Sequence, residues 1–363
     1  MIKDIVLVAN SPGELSALVK PVAAELAHKP GYRIILVLTP CQYTSGVEIE
    51  FSRQIKGIAE IITAGEYRNW AIMNHQPKVQ FAPEGVVLFL GGDLLHGMLI
   101  AKKLNYPAYA YLNERIAWTK FYHKFFVADE IAQKKFTKLA PKGKVSLVGN
   151  LMVDSIADLK KWAPEKNIIT FMPGSRKWEI DYMTPFYRQV IELIKAEAPH
   201  TRFQVVSSPF VRAHSIEGAK TIDFADIHNS ELVVTIPGTN TAKIAARGIP
   251  LIVVFPLNHP EVIPMEGLAD LLGKLPVMGK PFKRWVAGLV NKKTKFFALP
   301  NQKAGREIVP EIRGEIEPLG VALKAVELLH DVGTRQRMSL ELTSAMGKPG
   351  AAKKIVEEIG AGV

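Results

Sequence analysis

The feature that most constrains the fold is an alternation of apolar strand-like runs with helix-like segments, which stops once and then restarts. The first series covers Asp4 to Trp162, and the second begins at Ile168. Several runs are continuous Val, Ile, Leu and Phe, which is typical of parallel strands covered by helices on both faces. The polar stretch Ala163–Asn167 between the series has the composition of a linker. The pattern predicts an α/β chain of two Rossmann-like, doubly wound domains facing a cleft.

Hydrophobic periodicity and turn residues give the approximate bounds of the elements. We predict strands over Asp4–Ala9, Arg33–Leu38, Gly85–Leu90, Ala108–Leu112, Phe125–Ala128, Val145–Val148, 168–172, 203–208, 231–236 and 251–255. We predict helices over Gly13–Ala27, Leu94–Leu104, Val153–Trp162, 178–197 and 240–247, and through most of the C-terminal stretch. The corresponding domains are 1–163, 168–345, and a final helix within 346–363 that packs back toward the N-terminal domain.

Cysteine usage and hydropathy favour a cytoplasmic protein. Cys41 is the one cysteine, so no internal disulfide can form, which fits a reducing compartment. Lys3 and Asp4 precede an apolar run that is too short for a signal peptide, and no uncharged apolar stretch is long enough to span a membrane. The histidines are scattered and no second cysteine is present, so we expect no metal site.

The net charge of +11 predicts attraction to an anionic partner. One segment concentrates the charge without any acidic residue, with Phe282, Trp285 and aliphatic side chains between its cations. Its basic residues are Lys274, Lys280, Lys283, Arg284, Lys292, Lys293 and Lys295. This composition suits an anionic membrane surface. Nucleic acid is a weaker alternative, because no RNA- or DNA-binding signature is present. The simplest alternative is a basic helix face that is only solvated.

The turn Met172–Arg176 has the composition of a diphosphate site. It follows the strand-like run Ile168–Phe171 and precedes a helix. Gly174 allows a tight turn and close approach to a ligand, while a helix start offers unpaired N–H groups and partial positive charge. Arg176 adds a planar cation suited to phosphate oxygens. An ordinary strand-to-helix turn with a solvated arginine is the alternative.

A second turn of this type follows in the same half of the chain. The residues Gly238, Thr239, Asn240 and Thr241 come after the strand-like run 231–236 and open a small-residue helix. Hydroxyls and bare backbone at a helix start suit phosphate, although Thr and Asn are also good helix caps. Two such turns in one α/β half favour a nucleotide-binding domain.

Two turns of the first half carry candidate catalytic carboxylates. Gly13 and Glu14 follow the first strand, where Glu14 either acts on substrate or offsets a helix dipole. Asp93 follows Gly91 and Gly92 after another buried-type strand, where it is either a general base or a helix N-cap. His96 lies one helical turn beyond Asp93, where it either partners that carboxylate or merely packs.

These motifs, in this order, resemble the lipid-A-disaccharide synthase family, inverting glycosyltransferases of the GT-B fold. The resemblance runs across nearly the whole chain. It rests on Ser11-Pro12-Gly13-Glu14, Gly92-Asp93, Val148-Gly149-Asn150, Met172-Pro173-Gly174-Ser175-Arg176 with Glu179-Ile180, Pro237-Gly238-Thr239-Asn240-Thr241, and Leu299-Pro300-Asn301 with Val309-Pro310-Glu311.

The resemblance implies a UDP-sugar donor, of the UDP-N-acetylglucosamine type, bound mostly by the second half without an obligatory metal or cofactor. Arg176 would stabilise the leaving diphosphate, and Asp93 or Glu14 would act on the acceptor hydroxyl. Further donor contacts would come from Gly13, Gly174, Ser175, Gly238, Thr239, Asn240, Thr241 and Glu311. The acceptor would be a lipid at the inner face of the cytoplasmic membrane, reached through the segment around Lys280, Lys283, Arg284 and Trp285; the sequence also allows a homodimer.

The chain departs from the family pattern at identifiable positions, which makes it a divergent relative. Lys243 stands about where the family carries a glutamate expected on the ribose, and Asn150 replaces a histidine. A lysine cannot accept hydrogen bonds from ribose hydroxyls. A UDP-sugar 2-epimerase of the same fold and a non-catalytic nucleotide-sugar or lipid-binding relative therefore stay open as alternatives.

Overall fold

The computed structural model describes residues 2–41, 46–112, 115–211, 215–259 and 279–360, without the side chains of residues 279, 280 and 282. Lys274, part of the predicted basic segment, lies outside these residues. The chain divides into two compact units: unit 1 comprises Met1–Ala157 and Gly347–Val363, and unit 2 comprises Asp158–Met346. Each unit is built on a parallel sheet.

Sheet 1, in unit 1, has seven parallel strands in the described residues, in the order β3-β2-β1-β4-β5-β6-β7. Their bounds are β1 Lys3–Ala9, β2 Tyr32–Leu38, β3 Ile58–Ile62, β4 Gly85–Phe89, β5 Ala108–Leu112, β6 Tyr122–Val127 and β7 Val145–Leu147. Strands β1, β4 and β5 are almost completely buried because apolar side chains on both of their faces pack under helices.

The first helices of unit 1 follow the strands of sheet 1. They are α1 Pro12–Glu14, α2 Lys20–Leu26, α3 Glu48–Arg53, α4 Ala64–Met73, α5 Leu94–Leu104, α6 Glu130–Thr137 and α7 Leu151–Asp154. A π-helical turn, Leu15–Val19, separates α1 from α2, where the sequence predicts one helix over Gly13–Ala27. Pro21 explains the interruption, because it has no N–H with which to continue the regular helical bonding.

Sheet 2, in unit 2, has six parallel strands in the described residues, in the order β10-β9-β8-β11-β12-β13. Their bounds are β8 Ile168–Met172, β9 Arg202–Val206, β10 Lys220–Ile222, β11 Leu232–Thr235, β12 Leu251–Pro256 and β13 Glu311–Gly314. The helices are α8 Lys177–Glu197, α9 Thr239–Ala246, α10 Gly279–Lys293, α11 Leu299–Ala304, α12 Pro318–His330 and α13 Val332–Met346, with a 3₁₀-helix over Phe224–Asn229.

The final helix, α14 Ala351–Gly360, belongs to unit 1 although unit 2 precedes it in the chain. It buries Ile355, Val356 and Ile359 in the core that lines one face of sheet 1. At its start, the Asp154 carboxylate accepts N–H bonds from Gly350 at 2.6 Å and Ala352 at 2.5 Å. Asp154 therefore caps a helix that lies far from it in sequence.

The region between the units differs from its prediction. The helix predicted over Val153–Trp162 is the single turn α7, which Asn150 caps by accepting from Met152 N at 3.1 Å. Beyond that turn the chain leaves the helix, because Trp162 donates its indole N–H to Ser230 O at 2.8 Å in unit 2. Residues 158–163, assigned from sequence to the first domain, lie in unit 2.

The strand orders identify the functional edge of each sheet. In sheet 1 the order reverses beside β1, so the turns after β1 and β4 are neighbours; in sheet 2 the turns after β8 and β11 are neighbours for the same reason. Ligands of open α/β sheets bind outside the carboxyl ends of the strands at such switch points. Among the described residues, none of the helices is long and apolar enough to cross a membrane.

Candidate functional site

The turn after β8 contains the predicted diphosphate residues, but an internal carboxylate occupies its N–H groups. Oε2 of Glu179 accepts from Ser175 N at 2.8 Å and from Arg176 N at 3.1 Å. Gly174 has φ +127°, and a Cβ there would lie 2.4 Å from the same Glu179 oxygen. The prediction of unpaired N–H groups at Ser175 and Arg176 is therefore wrong, because Glu179 turns back from α8 to satisfy them.

Arg176 is paired with the same carboxylate. Its Nη1 lies 3.3 Å from Oε1 of Glu179, and about a third of the arginine side chain is exposed, 31%. Burial raises the pKa of the Glu179 carboxyl, while the Arg176 guanidinium and the two backbone N–H groups lower it. The carboxylate thus holds the guanidinium at the carboxyl edge of sheet 2.

The turn after β11 presents its helix start differently. Gly238 is exposed with φ +141°, and no side chain caps α9 in the described structure. The Thr241 hydroxyl donates to Gly238 O at 2.7 Å, which fixes the first turn of α9. The half-exposed residues Thr239 and Asn240 therefore stand at a helix start whose partial positive charge is not offset by a side-chain cap.

Strand pairing brings these two turns together within unit 2. Thr235, the last residue of β11, is in register with Met172, the last residue of β8. A Cβ on Gly174 would lie 3.0 Å from the Ile236 side chain, so the turns are in contact. The predicted residues from Gly174 to Arg176 and from Gly238 to Thr241 thus lie on two adjacent turns, the cluster at the carboxyl edge of sheet 2.

Lys243 lies on the buried side of α9. Its Nζ is 5.8 Å from the centre of the Phe224 ring, and the residue is 8% exposed. One turn further, Arg247 donates to the carbonyls of Phe224, Ala225 and Lys160. Lys243, for which the resemblance leads one to expect a glutamate, therefore packs with Arg247 against the 3₁₀-helix.

Glu311 has a structural role at the start of β13. Its carboxylate accepts from Phe297 N, Ala298 N and Asn301 Nδ2, each at 2.9 Å. These bonds use both carboxylate oxygens and anchor the start of α11. The contact with a nucleotide expected for Glu311 stays a prediction.

In unit 1, the Glu14 carboxylate connects the turns after β1 and β4. Oε2 accepts from Asn10 N and Ser11 N, and Oε1 accepts from Gly92 N, each at 3.0 Å. A Cβ on Gly91 would lie 1.9 Å from Cδ of Glu14, so only glycine fits there. Burial raises the pKa of Glu14, and the three backbone bonds oppose that shift.

Gly13 lies in the first turn of α1, between Ser11 and the capping carboxylate. Its carbonyl accepts from Ser16 Oγ at 3.2 Å. Ser11 and Glu14 form a reciprocal capping box at the start of α1. The predicted donor contact of Gly13 stays a prediction, whereas its part in the turn is structural.

Asp93 is the exposed carboxylate of this edge. It caps α5 by accepting from Leu95 N at 2.8 Å through Oδ1. The N-cap expected as an alternative is therefore present, and it leaves Oδ2 without a hydrogen-bond partner in the described part of the chain. Glu14 is half-buried and both of its oxygens accept backbone N–H groups, whereas Asp93 is exposed, so Asp93 fits proton transfer better.

Sequence reasoning missed a pairing beside Asp93. The Tyr67 hydroxyl lies 2.7 Å from Nδ1 of His96, with the two rings perpendicular. Burial lowers the pKa of His96, and the Asp93 carboxylate opposes that shift. The capping box Thr63–Glu66 starts α4 and places Tyr67 in its first turn, which is a signal the sequence contained.

The described residues contain no cluster of three or more His, Cys, Asp or Glu side chains able to hold a metal ion. The polar groups described at the two edges are instead carboxylates, the Arg176 guanidinium, the His96 imidazole, hydroxyls and backbone N–H groups. Such a set can bind an anion electrostatically in unit 2 and accept a proton in unit 1.

The two sheets define the class of protein, which is the GT-B fold of glycosyltransferases and related epimerases. The UDP-GlcNAc 2-epimerase from Neisseria meningitidis, solved with UDP-GlcNAc, has a TM-score of 0.60 and 12% identity, over 99% of this chain and 100% of that chain. CalG4, the calicheamicin glycosyltransferase, has a TM-score of 0.53 and 16% identity, over 99% of this chain and 98% of its own. These likenesses establish the fold.

Sequence comparison gives the finer relationship, although no family model matches the chain. The lipid-A-disaccharide synthase of Granulibacter bethesdensis is 27% identical over 183 residues, which is 47% of this chain and 40% of that protein. The synthase of Idiomarina loihiensis is 30% identical over 152 residues, 41% of this chain and 37% of its own length. The chain is a divergent relative of the lipid-A-disaccharide synthases, and it matches less than half of the length of each of these two.

Proposed function

We propose that the protein is an inverting glycosyltransferase that moves a sugar from a UDP-sugar, of the UDP-N-acetylglucosamine type, to a lipid-linked acceptor. The observation that carries the proposal is the cluster in unit 2, where Arg176 and the start of α9, without a side-chain cap, follow paired strands. Relationship to the lipid-A-disaccharide synthases supports the reaction class and the lipid acceptor.

In the proposed reaction, the acceptor hydroxyl attacks the anomeric carbon as the bond to the diphosphate oxygen breaks. The hydroxyl proton moves to Oδ2 of Asp93, and the electron pair of the broken bond leaves with UDP. Arg176 and the start of α9 stabilise the charge that develops on the diphosphate. Glu179 must then share Arg176 with the diphosphate, so it orients the guanidinium and also competes for it.

Helix α10 supports a membrane-bound acceptor. It carries Lys283, Arg284 and an exposed Trp285, 63% accessible, and its last turn adds Lys292 and Lys293. Basic and aromatic side chains on one amphipathic helix suit an anionic lipid surface. Lys280 belongs to the same helix, although its side chain lies outside the described residues. We propose that α10 docks the protein on the cytoplasmic face of the membrane.

Thermal unfolding with and without ligand tests the nucleotide site. UDP and UDP-N-acetylglucosamine at a hundredfold excess over Kd should stabilise the protein by about 2.7 kcal/mol. Arg176→Ala should remove most of that stabilisation. The matched control Arg188→Ala, which changes an exposed arginine of the same helix paired with Glu217, should retain it. Absence of any shift in the wild-type protein would contradict the proposal.

An epimerase is the second candidate, because epimerases share the fold at a TM-score of 0.60. The two activities differ in what they consume. An epimerase converts the UDP-sugar without any acceptor, whereas a transferase releases UDP only when the acceptor is present. Mass spectrometry of UDP-N-acetylglucosamine incubated with the protein, with and without membrane lipid extract, separates them.

A further inference from the structure

Tyr67, His96 and Asp93 form a group at the carboxyl edge of sheet 1 that is held by specific hydrogen bonds as well as by packing. Helix α4 follows β3 and helix α5 follows β4, so the first turns of both helices lie at the carboxyl edge of sheet 1. Tyr67 stands in the first turn of α4, and Asp93 and His96 bracket the first turn of α5. The three side chains come from two helices but meet at the edge where unit 1 would receive an acceptor.

The hydrogen bond between Tyr67 and His96 fixes the imidazole tautomer. Tyr67 is 2% exposed, and its hydroxyl has no second hydrogen-bond partner among the described residues. Burial raises the pKa of Tyr67 to about 12, so the hydroxyl keeps its proton at neutral pH. A buried hydroxyl donates when an acceptor is in reach, so Nδ1 of His96 accepts and the ring proton resides on Nε2.

The opposite side of the imidazole is open. Nε2 of His96 has no hydrogen-bond partner in the described part of the chain. The atom is also not one of the buried side-chain atoms that lack a partner, so it is accessible to solvent or to a ligand. Oδ2 of the neighbouring Asp93 is likewise unpartnered there. A hydrogen-bond donor and a hydrogen-bond acceptor thus stand one helical turn apart at the same edge, both without a partner from the described chain.

We propose that His96 is an acceptor-binding residue, whose Nε2–H donates to an oxygen of the acceptor next to the hydroxyl that Asp93 deprotonates. This inference rests on the proposed function. Tyr67 is the positioning residue, since it selects the tautomer that can donate. The arrangement favours an acceptor with a hydrogen-bond-accepting oxygen, such as a vicinal hydroxyl or a phosphate, beside its attacking hydroxyl.

Tyr109, another buried tyrosine of unit 1, shows what packing without a hydrogen bond looks like. It is 1% exposed, and its ring centre lies 5.3 Å from that of His123, but its hydroxyl has no hydrogen-bond partner among the described residues. The rings of Tyr109 and His123 therefore contact each other without a hydrogen bond that could select a tautomer, whereas Tyr67 and His96 have both a ring contact and a hydrogen bond. Tyr109→Phe and His123→Gln are the matched controls for Tyr67→Phe and His96→Gln.

The tautomer can be measured without any enzyme assay. Nitrogen-15 NMR of the histidine-labelled protein at pH 7.5, with His96 assigned through the His96→Gln variant, should show a neutral ring protonated on Nε2. Tyr67→Phe should shift the resonances toward a mixture of tautomers, and Tyr109→Phe should leave them unchanged. A ring protonated on Nδ1, or a charged ring, would overturn the inference.

Transfer kinetics test the role itself, with UDP-N-acetylglucosamine as donor and detergent-dispersed bacterial membrane lipid as acceptor. His96→Gln should raise the lipid concentration for half-maximal transfer about tenfold, and Tyr67→Phe about threefold. Neither change should alter the stabilisation by UDP, which unit 2 provides. His123→Gln should match the wild type.

The outcomes separate this inference from the function on which it rests. Wild-type transfer together with unchanged lipid dependence in His96→Gln would overturn the role of His96 alone. A reduced UDP stabilisation in the same variant would show a general structural effect and overturn the role as well. No transfer by the wild-type protein with any nucleotide sugar would overturn the proposed function, and the role of His96 with it.

Discussion

At the residue scale, two glutamates bind backbone N–H groups in turns where the sequence predicts site residues. Glu14 and Glu179 each turn back from a helix start and accept the N–H groups of the preceding turn. The spacing Ser11-x-x-Glu14 is a capping-box signature, so the first of these could have been predicted from sequence. The link from Glu14 to Gly92 could not, because it joins residues far apart in the chain and depends on which strands are neighbours.

Replacing Glu14 with glutamine should destabilise unit 1. Both carboxylate oxygens accept backbone N–H groups, so a glutamine must place its own NH₂ against one of these donors. We expect a loss of about 1–3 kcal/mol in the free energy of unfolding, measured by urea denaturation. Glu66→Gln is the control, because Glu66 bonds through one oxygen only and an amide can replace it. Equal losses in the two variants would contradict the account.

His96 should make stability depend on pH below neutrality. Burial lowers its pKa in the folded protein, against the opposing charge of Asp93, while the unfolded chain has the ordinary value of about 6.5. Between these values the unfolded chain binds more protons, so the contribution of His96 is complete above about pH 6.5 and is lost as pH falls through that range. The neighbouring hydroxyl of Tyr67 stays protonated throughout.

The measurement compares unfolding free energies at pH 7.5 and 5.5 in the wild type and in His96→Gln. The variant should lose less stability on acidification than the wild type does. His123→Gln, which changes an exposed histidine, should behave like the wild type. An identical pH dependence in the wild type and His96→Gln would contradict the account, because it would mean that His96 binds protons equally in the folded and unfolded states over this range.

At the scale of elements, the sequence located best those segments that are apolar on all sides or clearly capped. The strands over 108–112 and 168–172 and the helix Leu94–Leu104 have their predicted bounds. Strand β3 was missed although four of its five residues are apolar, because Glu60 interrupts the apolar run and the strand lies at the edge of sheet 1, where Ala59 and Glu60 are exposed. The prediction of a helix over Val153–Trp162 was wrong. Trp162 donates a hydrogen bond to Ser230 O, and no local sequence pattern predicts this contact.

The docking of α14 depends on one carboxylate. Asp154→Ala should remove two N–H bonds at the start of the helix and cost about 1–2 kcal/mol. Amide hydrogen exchange within residues 351–360 should accelerate. The control Asp331→Ala removes an exposed carboxylate that accepts from Thr334 N at the start of α13, and it should leave exchange in α14 unchanged. Unaltered exchange in Asp154→Ala would mean that apolar packing alone holds the helix.

At the scale of the whole molecule, the excess of positive charge should drive binding to anionic vesicles. Lys283→Ser with Arg284→Ser removes two charges from α10, and flotation with phosphatidylglycerol vesicles should fall severalfold, since each basic residue near an anionic surface contributes about 1 kcal/mol. Binding should also weaken with salt.

A matched pair of charges elsewhere provides the control for this experiment. Lys353→Ser with Lys354→Ser changes the net charge equally, at two exposed positions of α14. That variant should lose much less flotation than the α10 variant. Equal losses would show that net charge alone, and not the basic and aromatic helix, governs attachment.

Because unit 1 is made from the two ends of the described chain, with unit 2 between them, its assembly must wait during synthesis. Asp154 leaves the ribosome well before Gly350, and at ~5–20 residues per second this delay is roughly 10–40 s. Throughout that time the apolar side chains that later contact Ile355 and Ile359 remain exposed to solvent, while unit 2 can already fold. The nascent N-terminal part is therefore the stretch on which chaperones should act longest.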